Sequence, residues 1–247
     1  MTLHATLYGA AIFAELPLSE RPPLLVDPFI AAGSITLLFG APSAGKTHLT
    51  ISMATTLVHG TPLWGIYQTQ KSRVLLVQAD MNTAAYQERI RPNGATLTND
   101  TMILTTDGFS LNICAIKPTD PIIVAVREFA PDIVFVDTLR KVHAFDEIDN
   151  TAPDRVYGAW RTLLPNAAFV FLNHTRKLST HPDATKMISE SFRGGGAWAA
   201  SADTIIAQRR IRRANNPAWL TRLQFVRTRS CQEPTPILLR LNESTLL

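Results

Sequence analysis

Runs of consecutive apolar residues alternate along this chain with segments whose apolar residues recur at helical spacing. The first run is Ser34-Ile35-Thr36-Leu37-Leu38-Phe39, followed by a glycine-containing turn. A helical pattern then covers 47–58 and stops at Gly60. The alternation repeats, with strands predicted at 73–79, 101–105, 133–136 and 167–172 and helices at 82–90, 119–129 and 153–164. Near-continuous apolar strands separated by helices predict a mostly parallel sheet covered on both faces.

The two ends of the chain read differently. Residues 1–30 hold Pro17, Pro22, Pro23 and Pro28, a density that forbids a long helix and predicts an extended lead-in. Near the C-terminus, 204–211, 220–229 and 237–241 are strand-like. The turns between them are marked by Asn215-Asn216-Pro217 and Glu233-Pro234. These strands are expected to extend the edge of the sheet in antiparallel fashion. No composition break divides the rest, so 31–247 is expected to form one α/β domain behind the 1–30 lead-in.

Composition narrows the class without naming a function. The chain has 247 residues, 46% hydrophobic and 18% charged, which suits a folded domain with a substantial core. A formal charge of +4 means that any acidic polymer must be met by local patches. Cys114 and Cys231 sit in unrelated contexts and are expected to be reduced thiols. The N-terminal stretch lacks a basic n-region, and no apolar run is long enough to cross a membrane. The expectation from these features is a soluble, intracellular protein.

One motif carries specific chemistry. Gly40-Ala41-Pro42-Ser43-Ala44-Gly45-Lys46-Thr47 fits G-x-x-x-x-G-K-[ST], with a strand leading in and a helix leading out. Average residue usage gives a chance match in a chain this long roughly one per cent of the time. The glycines let backbone N–H groups turn toward phosphates, and the helix N-terminus adds positive potential. Lys46 supplies an ammonium to the β- and γ-phosphates, and Thr47 a hydroxyl to Mg²⁺. His48, next along the helix, joins the nucleotide-binding set. The expected cofactors are ATP and Mg²⁺.

Three further strands end in polar residues, where ligands gather in such sheets. Asp137 closes Ile133-Val134-Phe135-Val136 and is the candidate metal carboxylate. Asp80 follows Val74-Leu75-Leu76-Val77-Gln78-Ala79; it reads either as the group that activates water or as the N-cap of the next helix. Asn173 or His174, after Phe169-Val170-Phe171-Leu172, is placed to sense the γ-phosphate.

Together these segments resemble the RecA-like ATPases, and within them the RepA-type group of plasmid and phage replication helicases. The resemblance runs from about Pro22 to Leu241. It rests on Pro22-Pro23-Leu24-Leu25-Val26-Asp27, the phosphate loop, Asp137-Thr138-Leu139-Arg140, and Phe171-Leu172-Asn173-His174-Thr175-Arg176-Lys177. It also rests on Ser191-Phe192-Arg193-Gly194-Gly195-Gly196-Ala197 with Ala202-Asp203-Thr204. The resemblance implies nucleotide and metal contacts from Lys46, Thr47 and Asp137, and a γ-phosphate sensor at His174. It places Asp80 where that group has a catalytic glutamate, one methylene longer. It also implies that Arg227 and Arg229, in Val226-Arg227-Thr228-Arg229, complete the site of a neighbouring copy, an assignment that competes with a plain exposed strand.

A polar connection over 175–196 holds Arg176, Lys177, His181, Lys186 and Arg193. By the resemblance it would present Arg176, Lys177, Lys186 and Arg193 to single-stranded DNA in a central channel, with a solvated loop as the alternative. Arg209, Arg210, Arg212 and Arg213 form a second basic cluster, open between DNA contact, subunit interface and hairpin end. The leading expectation is a homo-oligomeric ring, a hexamer or else a filament, that hydrolyses ATP and unwinds DNA in replication. A recombinase-like ATPase assembling on single-stranded DNA and a P-loop small-molecule kinase are the alternatives.

Overall fold

Strands buried on both faces have no polar side to show, which is why the apolar runs read as continuous. The computed structural model describes residues 7, 9–15, 21–94, 96–146, 149–174, 196–213 and 216–241. In chain order the elements are α1 (Ala10–Glu15), β1 (Leu24–Val26), β2 (Ile30–Ala31), β3 (Ile35–Gly40), α2 (Lys46–His59), β4 (Val74–Gln78), α3 (Thr83–Ile90), β5 (Thr101–Thr105), α4 (Pro121–Phe129), β6 (Ile133–Asp137), α5 (Ala152–Leu163), β7 (Ala168–His174), α6 (Gly196–Ser201), β8 (Thr204–Arg213), β9 (Asn216–Thr228) and β10 (Ile237–Leu241). The described part of the lead-in thus holds a short helix and the small antiparallel β1–β2 ribbon.

The main sheet has eight strands in the order β10-β9-β8-β3-β7-β6-β4-β5. The fold is α/β with a mostly parallel central sheet and antiparallel pairing at its C-terminal edge. That antiparallel pairing starts one strand later than the pattern implied. β8 lies parallel to β3, and only the β8–β9 and β9–β10 pairs run antiparallel. β8 also outruns its neighbour. Gly40, the last residue of β3, pairs with Gln208, and β8 continues to Arg213 against β9.

Residue parity divides the sheet into two faces. Ile35, Leu37, Phe39, Leu75, Val77, Val134, Val136, Phe169 and Phe171 pack with residues of α4, α5 and α6. Leu38, Leu76, Phe135, Val170, Leu172 and Ile206 pack against Leu49, Met53, Leu57 and other apolar residues of α2. Gln78, Asp137 and His174, which close their strands, and Gln208 within β8 share parity with this second set, which puts these polar residues on the α2 side.

Local signals set the helix ends. α2 stops at Gly60, whose left-handed conformation (φ 64°) turns its N–H back to Leu57 and Thr56 carbonyls. α3 is capped by Asn82, whose Oδ1 accepts from the Ala85 N–H at 2.8 Å. α4 opens on Pro121, where a missing N–H costs nothing. Cys114 and Cys231 are free. Among the described residues no helix is long and apolar enough to cross a membrane. An apolar cavity of about 240 Å³, lined by Leu75, Leu104, Ile113, Ile123 and Trp160 among others, opens on the face opposite α2. Nothing in that lining recognises a phosphate.

Candidate nucleotide site

The phosphate loop connects the end of β3 to the start of α2. Gly45 stands at the helix N-terminus with φ 93°, and Ser43 has φ 59°. Positive φ is cheap only for glycine, so the loop is a held conformation. The backbone is also crowded at Gly40. A Cβ there would lie 2.4 Å from the Gln208 carbonyl oxygen. Gly40→Ala is therefore expected to lower stability by about 1–3 kcal/mol and to weaken ATP binding by shifting the loop. Urea unfolding and a fluorescent-nucleotide titration check this, and wild-type values in both would remove the steric argument.

Lys46 is the first residue of α2 and only 5% exposed. Its ammonium donates to the carbonyls of Gly40 at 2.9 Å and Ala41 at 3.1 Å, and lies 3.1 Å from His174 Nδ1. Burial pulls its pKa down to about 8, against the opposing pull of Asp137 and Asp80. An ammonium can only donate, so Nδ1 of His174 accepts and its proton sits on Nε2. That Nε2 faces Asp80 Oδ2 at 3.8 Å, beyond a direct hydrogen bond. Burial, then the Lys46 charge, lowers the His174 pKa, against the opposing pull of Asp80 and Asp137. The His174 N–H is held by Asn173 Oδ1 at 2.8 Å, so the two polar residues closing β7 divide their tasks.

Thr47 Oγ1 donates to Asp137 Oδ2 at 2.6 Å. Asp137 is buried, and burial raises its pKa against the hydrogen bonds of Thr47 and Gln78. The peptide after it, to Thr138, is cis. Thr138 Oγ1 donates to the Leu172 carbonyl at 2.7 Å, tying the end of β6 to β7. A hydroxyl and a carboxylate beside a phosphate cradle form a hard oxygen donor set of the kind Mg²⁺ takes with a nucleotide's own oxygens. Among the described residues no cluster of three or more His, Cys, Asp or Glu could hold a metal ion by itself. Thr47 and Asp137 are the residues that would hold it.

Sequence reasoning left Asp80 open between catalysis and helix capping. The cap is Asn82, and the Asp80 carboxylate is turned to His174 instead. His48 lies in the first turn of α2, partly buried, with a pKa lowered by burial and then by Arg89. Two buried glutamines that brace the site were missed. Gln78, fully buried, links Asp137 to the Asp80 turn. Gln208, also fully buried, donates from Nε2 to the Ala44 carbonyl at 3.0 Å and braces the loop from β8. Gln78 closes the apolar run of β4, the same signal that identified Asp137, whereas Gln208 lies midway along β8 ahead of Arg209 and Arg210 and gives no such signal.

The late arginines do not join this site within the chain. Thr228 pairs with Thr204, the first residue of β8, whereas Gln208 lies beside the end of β3 that carries the loop. Arg227 Nη2 donates to the carbonyls of Ala199, Ala200 and Ala202. Arg229 donates to Ala200 O at 2.5 Å and faces Asp203 at 3.5 Å. Together they close the C-terminal end of α6, where carbonyls lack helical partners. Asp203 also accepts from the Ile35 N–H at 2.8 Å, anchoring the start of β3. Arg209, Arg210, Arg212 and Arg213 all lie on β8. Arg176, Lys177, Lys186 and Arg193 lie outside the described residues.

A protein-family model described as an AAA domain matches residues 12–180, more than half of the chain. No curated protein matches it. Among solved structures, the flagellar accessory protein FlaH from Methanocaldococcus jannaschii superposes with a TM-score of 0.55. The match covers 86% of this chain and 87% of that one, at 11% sequence identity. At that identity the likeness speaks for the fold alone, a RecA-like core.

Proposed function

We propose, from the premise that this chain belongs to the AAA domain family of RecA-like P-loop ATPases, that it is a Mg²⁺-dependent motor on DNA: an oligomer whose subunits complete one another's ATP sites. One observation carries the reading. Lys46, Thr47, Asp80, Asp137 and His174 converge at one end of the sheet, while Arg227 and Arg229 sit at the other. A site with a phosphate cradle, a metal position and a carboxylate, but no nearby arginine from this pair, suits completion by a neighbour. Arginine's planar fork pairs well with phosphate oxygens there. The RepA-type helicase role in replication, on single-stranded DNA, extends the same reading through the cationic 175–196 connection.

Mixing variants tests completion by a neighbour. Arg229→Ala and Lys46→Met are each expected to be inactive alone. In a random one-to-one mixture about one quarter of interfaces in a closed ring combine an intact loop with an intact arginine. Hydrolysis returning to roughly that level supports shared sites. No recovery, with both variants folded and assembled, rejects them. A strand-displacement assay with the wild type decides helicase action, and ATPase without unwinding under ring-forming conditions removes it.

A second reading keeps the ATPase and drops translocation: an ATP-gated assembly on single-stranded DNA. The short Asp80 side chain, turned toward His174 at 3.8 Å, favours it, because slow cleavage suits a clamp. Filaments in electron micrographs, with slow ATP turnover, would support it over the motor.

A further inference from the structure

Asp137 closes β6, and Asp80 lies in the turn just after β4, the neighbouring parallel strand. Gln78 pairs in register with Asp137, so both side chains leave the sheet on the α2 face. The Gln78 side chain is fully buried and uses both ends of its amide. Its Oε1 accepts from the backbone N–H of Asp80 at 2.7 Å and of Met81 at 3.2 Å. Two N–H donors on one atom identify that atom as oxygen, so the amide orientation follows from the network. The Nε2 end therefore faces Asp137 Oδ2, to which it donates at 3.3 Å. The same oxygen takes the Thr47 hydroxyl at 2.6 Å. An unbroken series of hydrogen bonds thus runs from Thr47 through Asp137 and Gln78 to the turn that carries Asp80.

We propose that Gln78 is a positioning residue that fixes the Asp80 turn to the Thr47–Asp137 pair, so that the water-activating carboxylate is set from the metal position. The inference rests on the ATPase reading above. No other residue type makes all three contacts. Glutamate keeps the acceptor and loses the donor, methionine keeps the length and loses both, and asparagine falls short by a methylene. A buried polar network of this kind orients its members only when every member is satisfied.

The test uses the full chain with Gln78→Met and Gln78→Glu. Gln78→Met is expected to speed amide exchange at Asp80 and Met81 by about tenfold or more. It should also lower kcat about 10–100-fold, the usual range for groups that orient a metal's ligands. KM for ATP should stay within about threefold, since the loop and Lys46 are untouched. Gln78→Glu is expected to keep slow exchange at both amides while raising the Mg²⁺ concentration for half-maximal nucleotide binding. A merely structural role would lower Tm in both variants and leave the kcat-to-KM split and the Mg²⁺ response at wild type. Unchanged exchange in Gln78→Met, or wild-type kcat and Mg²⁺ dependence in both, overturns the proposal. If the wild type binds Mg²⁺-nucleotide without cleaving it, the ATPase reading fails, and exchange rates and Mg²⁺ dependence still decide whether Gln78 couples the turn to the metal position.

Discussion

Lys46→Met is expected to cut ATP hydrolysis by roughly 10²–10³ and, at the same time, to raise the melting temperature at neutral pH. The loss of rate follows from the geometry. The ammonium is fixed at the centre of the loop by Gly40 and Ala41 carbonyls and by His174, so its charge is in place before a phosphate arrives. Removing one preorganised charge of this kind costs roughly 10²–10³ in kcat. The gain in stability follows from the same burial. A lysine whose pKa falls from 10.5 to about 8 is held charged at pH 7 at a cost on the order of 3 kcal/mol. Below pH about 8 folded and unfolded chains both carry the proton, and the cost stands in full. Between about 8 and 10.5 only the unfolded chain still binds it, so wild-type stability gains with pH relative to the variant. The difference in Tm should therefore be several degrees at pH 7 and shrink by pH 10. A variant that hydrolyses ATP at the wild-type rate, or a gap that does not close, contradicts this account of Lys46.

Asp80→Asn is expected to lower kcat by about 10²–10⁴ with little change in nucleotide affinity, the signature of a lost general base. Asp80 is free for that task because Asn82 caps α3. It is also the carboxylate that faces His174 Nε2, at 3.8 Å, beyond a direct hydrogen bond. Asp80→Glu restores the missing methylene and is expected to raise kcat above wild type. Single-turnover hydrolysis separates chemistry from product release in each variant. Wild-type turnover by Asp80→Asn would remove Asp80 from the chemistry.

Much of this arrangement was legible in the residues, and the exceptions have a physical pattern. Apolar runs and glycine punctuation report local energetics, so the strands from β3 to β7 emerged within a residue or two of their observed ends. Asp137 was legible because a carboxylate closing a buried strand is costly without a partner. Gln78 closes β4 in the same way, but a neutral amide gives a weaker signal than a charge, and Gln208 sits inside β8 rather than at its end. The direction of β8 was not legible. A strand's own sequence does not state which neighbour it joins, and β8 is parallel because it lies beside β3. Arg227 and Arg229 matched a motif by position, but their contacts with α6 span some 25–29 residues along the chain, and no local pattern reports those.

Steady-state phosphate release by the purified chain, with ATP and Mg²⁺, tests the central claim most directly when Lys46→Met is run beside it. The account predicts release that needs Mg²⁺, rises with single-stranded DNA, and is absent from the variant. Release that is absent from the wild type under every condition, or equal in wild type and variant, would contradict it.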